Sequence, residues 1–163
     1  MPKVTAGQLL FIAARDGDAA GAEKALAKRA PPDYRDNVEG MTPLHMACCN
    51  GNDRVVDLLL SKKASTAITT DGGSTALALA CINCHTNIVR RLLEAGASVD
   101  AAAPDGWRSA MFAEARGDQL GSELLRMLTA AGAAELSETE SALAVGFTEE
   151  EAEQALKAVA DAL

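Results

Sequence analysis

Cys81-Ile82-Asn83-Cys84-His85 is the segment whose residue types and spacing could do chemistry. Two thiols three positions apart, followed at once by an imidazole, match the C-x-x-C-H pattern of covalent haem attachment. The thiols would take the vinyl groups and the histidine would ligate iron. Zinc is a second reading, in which Cys48, Cys49, Cys81 and Cys84 supply four thiolates to a tetrahedral site. Spacing weakens both. Cys81 lies 33 residues after Cys48, so these two share one repeated position, where cysteine serves as a small buried hydrophobe. Cys48 and Cys49 are neighbours and point about 100° apart on a helix. No metal site or cofactor is therefore expected. His45 is a candidate general base, but no third group stands ready to orient it. Asp71-Gly72-Gly73 has no strand before it and no Lys-Ser after it, so it reads as a turn rather than a phosphate cradle. The chain does not read as an enzyme.

The elements that must position these residues recur. Gly40-Met41-Thr42-Pro43-Leu44-His45-Met46-Ala47 returns as Gly73-Ser74-Thr75-Ala76-Leu77-Ala78-Leu79-Ala80, and more faintly as Gly106-Trp107-Arg108-Ser109-Ala110-Met111-Phe112-Ala113. The glycines are 33 apart twice running, as are the alanines at 47, 80 and 113. A fixed period of this length implies stacked supersecondary units with a long concave face and no deep pocket. The second halves recur as well: Val55-Val56-Asp57-Leu58-Leu59-Leu60 aligns with Ile88-Val89-Arg90-Arg91-Leu92-Leu93, and Glu94-Ala95-Gly96-Ala97 closes that unit.

These residues resemble the ankyrin repeat family, whose signature runs Gly-x-Thr-Pro-Leu-His-x-Ala, Gly-His, Val-Val-x-Leu-Leu and Gly-Ala. The resemblance covers roughly residues 6–133 and implies an all-α ankyrin-repeat solenoid. About four helix-turn-helix repeats are expected, over 6–36, 37–69, 70–102 and 103–133, with a degenerate helical C-terminal cap at 134–163. It also implies a structural role for His45, bonded to Thr42 and nearby backbone.

Within 37–69, Thr42 reads as an N-cap with Pro43 at the first helical position, where its missing N–H costs nothing. A helix over about 43–50 should break at Gly51, and a second should run over about 53–62 with Val55, Val56, Leu58 and Leu59 facing the stack. Lys63 stands where the family has glycine and is expected to take a left-handed cap conformation at some strain. In the next unit Cys84 replaces the helix-breaking glycine and His85 keeps the family histidine. In the first, a polar helix over Ala19–Arg29 should end at Pro31-Pro32. Gly132-Ala133 lies 36 residues after Gly96-Ala97, so about three residues are inserted between Asp118 and Met127, predicting a longer or redirected helix.

The tail reads as a helical pair, with capping-box spacing at Ser137/Glu140 and Thr148/Glu151 and an apolar stripe including Leu143, Phe147, Leu156 and Val159. One reading is a degenerate fifth repeat that caps the stack. Another starts from Val145-Gly146-Phe147-Thr148 and Ala152-Glu153-Gln154-Ala155-Leu156, which look like the first two helices of a ubiquitin-associated domain, and makes the chain a ubiquitin-linked adaptor. That domain's third helix has no counterpart here.

Net charge is −8, and residues 134–163 hold eight acids against one lysine. The remaining body is nearly neutral, which argues against nucleic acid as the partner, since phosphate binding needs a basic patch. Arg90-Arg91 reads as a solvated outer face. No run approaches the ~18 apolar residues of a membrane span. Met1-Pro2-Lys3-Val4-Thr5 lacks the blocks of a secretory signal, so the cytoplasm or the nucleus is expected. The expected partners are proteins, with no nucleic acid and no membrane, and the chain is expected to be a monomer.

The resemblance also implies where a partner would sit: on the turn tips and on the exposed edge of each first helix. Matching tip positions are Val38, Glu39 and Met41; Asp71, Gly72 and Ser74; and Pro104, Asp105 and Trp107. Matching helix-edge positions are Arg15 and Asp16; Cys49 and Asn50; Ile82 and Asn83; and Ala115 and Arg116. Met41, Ile82 and the single tryptophan are large apolar groups at exposed positions, the kind that mark contact sites.

Overall fold

The computed structural model describes residues 4–100 and 109–133. Eight helices run through them in antiparallel pairs: α1 (Ala6–Asp16) with α2 (Ala19–Ala27), α3 (Pro43–Cys49) with α4 (Asp53–Ser61), α5 (Ala76–Ile82) with α6 (Thr86–Glu94), and α7 (Ser109–Arg116) with α8 (Gln119–Ala130). First helices begin at 43, 76 and 109 and second helices at 53, 86 and 119, so the 33-residue period of the sequence is a period in space. The first helices pack in the row α1, α3, α5, α7, and the second helices in the row α2, α4, α6, α8.

Small side chains let the rows close up. Ala14, Ala47, Ala80 and Ala113 recur at one position of the first helices and all are buried. Leu10, Leu44 and Leu77 join them in one buried core. In the second helices Val55, Val56 and Leu59 are answered by Ile88, Val89 and Leu92, all buried. Each such side chain is worth ~1.5–3 kcal/mol when fully removed from water. Leu58 is half-buried and packs against this core at the groove between α2 and α4, beside Leu26 and Lys62.

The starts of the first helices are set locally. Thr42 Oγ1 accepts the His45 N–H at 3.3 Å, and His45 Nδ1 lies 3.1 Å from the Thr42 nitrogen, a reciprocal cap. Thr75 repeats the first half, accepting from Ala78 N. The degenerate first unit keeps the same device in other letters: Thr5 caps α1 and the Gln8 side chain accepts the Thr5 N–H at 2.8 Å.

The turns inside each pair use left-handed backbone. Gly51 has φ +74°, and a Cβ there would stand 2.6 Å from the His85 ring, so both conformation and the neighbouring unit demand glycine. Cys84 takes the same role at φ 58° with a side chain. Arg29 and Lys63, at φ 62° and 60°, end α2 and α4. The expected stop at Pro31-Pro32 is thus corrected. The helix ends at Ala27, because the left-handed turn at Arg29 diverts the chain before the prolines are reached.

The inserted residues lengthen α8 to 12 residues, against 9 in α4 and α6. The extra turn shifts which leucines face inward: Leu124 and Leu128 are buried while Leu125 is half-buried. No helix among the described residues is long and apolar enough to cross a membrane.

Candidate protein-binding face

The turn that joins the first unit to the second is built around Asp36. Its carboxylate accepts the N–H groups of Val38, Glu39 and Met41, the last at 2.6 Å, and its own N–H donates to the Met41 carbonyl. The loop tip is therefore rigid, with Val38 held out at 84% exposure. The next turn docks against it. Arg35 donates to the Thr69 carbonyl at 3.0 Å and to the Asp71 carboxylate at 2.9 Å, and Asp71 N–H donates to the Glu39 carbonyl. Gly40 is left-handed at this crossing, and a Cβ there would collide with the Arg35–Asp71 pair.

This docking gathers residues expected only to share a repeat position. Val38, Glu39, Met41, Asp71 and Ser74, with Gly72, line one groove of about 410 Å³, closed by Thr70 and Leu79. A second hollow of about 490 Å³ lies on the other side of the same turn, lined by Val4, Phe11, Ile12, Tyr34 and Asp36, with Phe11 and Tyr34 edge to face at 6.3 Å. The sequence reading missed this hollow, although its two aromatic residues, in a chain with five, were the available signal.

The edge of the first helices is less free than expected. Arg15 and Asp16 pair with each other at 2.8 Å in the open; the hydrogen bond raises the Arg15 pKa and lowers that of Asp16. Asn50 donates to the Arg15 carbonyl, and Asn83 donates to the Leu79 carbonyl and reaches Cys49 Sγ at 3.7 Å. Cys49 is half-buried and Ile82 is 43% exposed. Arg116 ends α7. Pro104, Asp105 and Trp107 lie outside the described residues, as do both readings of the tail at 134–163.

A polar ladder stitches the units from behind. Asn52 donates to the Ala14 and Arg15 carbonyls, and His85, one period later, sets Nε2 3.2 Å from the Cys49 carbonyl. Arg91 corrects the reading of Arg90-Arg91 as a solvated face. It donates to the Asp53 carbonyl at 3.0 Å and to the Asp57 carboxylate at 2.7 Å, and its side chain is only 33% exposed. Arg90 alone points to solvent. Arginine stands at a leucine position here because the preceding helix offers a carboxylate and a carbonyl to its fork.

The haem and zinc arrangements are not assembled. Cys48 and Cys81 are buried in the first-helix row, and burial raises both thiols, Cys81 to about 12. Cys84 turns its Sγ toward the Cys81 carbonyl at 3.6 Å, and His85 is engaged with Cys49. Among the described residues no three His, Cys, Asp or Glu side chains converge as a metal would need. Cys81 lies buried on α5, whereas Cys84 stands at the left-handed turn that follows the helix. His45 is likewise held, with Nδ1 2.9 Å from Thr42 Oγ1. Burial is the main cause that lowers its pKa, opposed by the backbone of Ile68 and of Ser74 beside the ring.

Comparison with known proteins agrees with this geometry. The description "Ankyrin repeats (3 copies)" matches residues 10–103, more than half of the chain. Over 89 residues the chain is 39% identical to a probable E3 ubiquitin-protein ligase, XBOS33, of Oryza sativa subsp. japonica, covering 53% of this chain and 17% of that protein. It is 32% identical over 90 residues to serine/threonine-protein kinase 12 of Arabidopsis thaliana, covering 55% and 19%. It is 41% identical over 58 residues to the human transient receptor potential cation channel subfamily A member 1, covering 36% and 5%. The chain thus spans less than a fifth of each relative's length.

Proposed function

The chain belongs to the ankyrin repeat family, and from that premise we propose that it is a non-catalytic protein-binding module, a scaffold or adaptor that takes a partner protein on its turn tips and first-helix edge. One observation carries the reading: Val38, Met41 and Leu79 form an apolar groove on a rigid, hydrogen-bonded pair of loop tips. Preorganised tips lose little freedom on binding, and an exposed apolar side chain on such a tip is an anchor for a second macromolecule. The held state of His45 supports a non-catalytic role, because its Nδ1 lone pair already accepts the Thr42 N–H and is not free to take a proton from a substrate. The shared stretch with a ligase, a kinase and a channel is short in each, consistent with a recognition unit rather than with any one of those activities. Four free thiols suit a reducing compartment, which supports the cytoplasm or nucleus as the site of action.

A photo-crosslinking residue placed at Val38, and separately at Arg54 on α4, tests the reading in cells. Protein adducts are expected from position 38 and not from 54. Val38→Asp with Met41→Glu should remove those adducts by weakening binding ~2 kcal/mol or more, with melting temperature unchanged. Equal crosslinking from both faces would overturn the proposal.

A further inference from the structure

The body of the chain is nearly neutral in sum, but the fold gathers acidic residues at one set of turn tips. Among the described residues, turn segments 33–42 and 66–75 carry Asp33, Asp36, Glu39 and Asp71 against Arg35 alone. The second helices and the residues that end them carry both signs, with Lys24, Lys28, Arg54, Lys62, Arg90 and Arg91 beside Glu23, Asp53, Asp57 and Glu94. Neither hollow beside the Asp36 turn is lined by a lysine or arginine; their charged walls are Asp36 in one and Glu39 and Asp71 in the other. The groove between α1 and α2 is lined by Lys24 and Lys28, and that between α2 and α4 by Lys62, each with acids as well. Arg35 spends its charge on Asp71, while the Glu39 carboxylate at the rim has no ion-pair partner among the described residues.

Two apolar hollows flanking one acidic turn define a chemistry. We infer that the partner presents an extended segment in which large apolar side chains alternate with lysine or arginine. The apolar groups would enter beside Val38 and Met41 and beside Phe11 and Tyr34, and a cation would meet Glu39. Opposite charge at such a rim raises the rate of encounter and excludes acidic competitors. The inference rests on the protein-binding reading and narrows its partner class.

Selection of short random peptides displayed on phage against the intact chain tests it, with the Val38→Asp/Met41→Glu double variant as counter-selection. Enriched peptides should combine large apolar residues with lysine or arginine. Glu39→Lys should weaken them by about tenfold, and changing the peptide's cation to glutamate should restore binding to that variant. Raising salt to about 0.5 M should weaken binding to the unaltered chain. Glu39 is exposed, so circular dichroism of the variant should be unchanged. Enriched peptides that are acidic or uncharged, or that bind Glu39→Lys equally well, would overturn the inference while leaving the protein-binding reading intact. Binders indifferent to the double variant would remove both.

Discussion

Lys63→Gly should make the protein more stable, although it deletes a side chain and adds none. Lys63 sits at φ 60° at the end of α4, where its backbone N–H donates to the Leu60 carbonyl at 2.9 Å and the following Ala64 N–H returns to Leu59 at 3.0 Å. Both bonds belong to the backbone and survive the change. The side chain is exposed and makes no hydrogen bond or ion pair among the described residues, so its loss forfeits none of their contacts. Left-handed backbone costs an L-residue roughly 1–2 kcal/mol. Glycine gives back ~0.5–1 kcal/mol through the greater freedom of its unfolded chain. The difference favours glycine by ~0.5–1 kcal/mol, about 2–3 °C in melting temperature for a chain of this size. Urea unfolding should show a higher midpoint at constant slope. Lys63→Ala removes the same side chain but keeps the strain, so it should stay within about 0.5 kcal/mol of the parent. If glycine lowers the midpoint, or alanine raises it equally, backbone strain at this cap is not what the substitution relieves.

Acid should weaken the fold through His45. Burial holds its folded pKa below the unfolded value of 6.5, so its contribution is complete above that pH and is lost as pH falls from 6.5 through the folded pKa. The loss is at most ~1.4 kcal/mol per pH unit, and His45→Gln should flatten the difference in urea midpoint between about pH 7.5 and 5.5. Arg91→Met should cost ~1 kcal/mol, because the stem still packs while the bonds to α4 are lost; a double-mutant cycle with Asp57→Asn should give a coupling of ~0.5–1 kcal/mol, and zero coupling would refute the clamp. A thiol-reactive dye should label the half-buried Cys49 and Cys84 in the native protein, and Cys48 and Cys81 only after denaturation. Native labelling of all four would contradict the packing of the first-helix row.

Much of the fold is written within a few residues at a time. Thr42 and His45 close a cap three positions apart, Gly51 needs left-handed backbone, and alanine at 14, 47, 80 and 113 keeps one spacing; each acts locally or through a fixed period, so each shows in the sequence. Lys63 and Cys84 are legible for the same reason, since they stand in glycine's place. The stack decided the rest. Arg91 reads as a surface charge until α4 is beside it, 34 residues earlier in the chain, and Arg35 finds Asp71 across 36. Val38, Met41 and Ser74 share a groove only because two turns dock at one offset, which depends on how closely alanine-lined helices approach. The near-neutral charge of the body was available by counting, but the gathering of Asp36, Glu39 and Asp71 at one docked pair of turns was not. Coulombic fields depend on distance through space, and the sum over a sequence holds no distances.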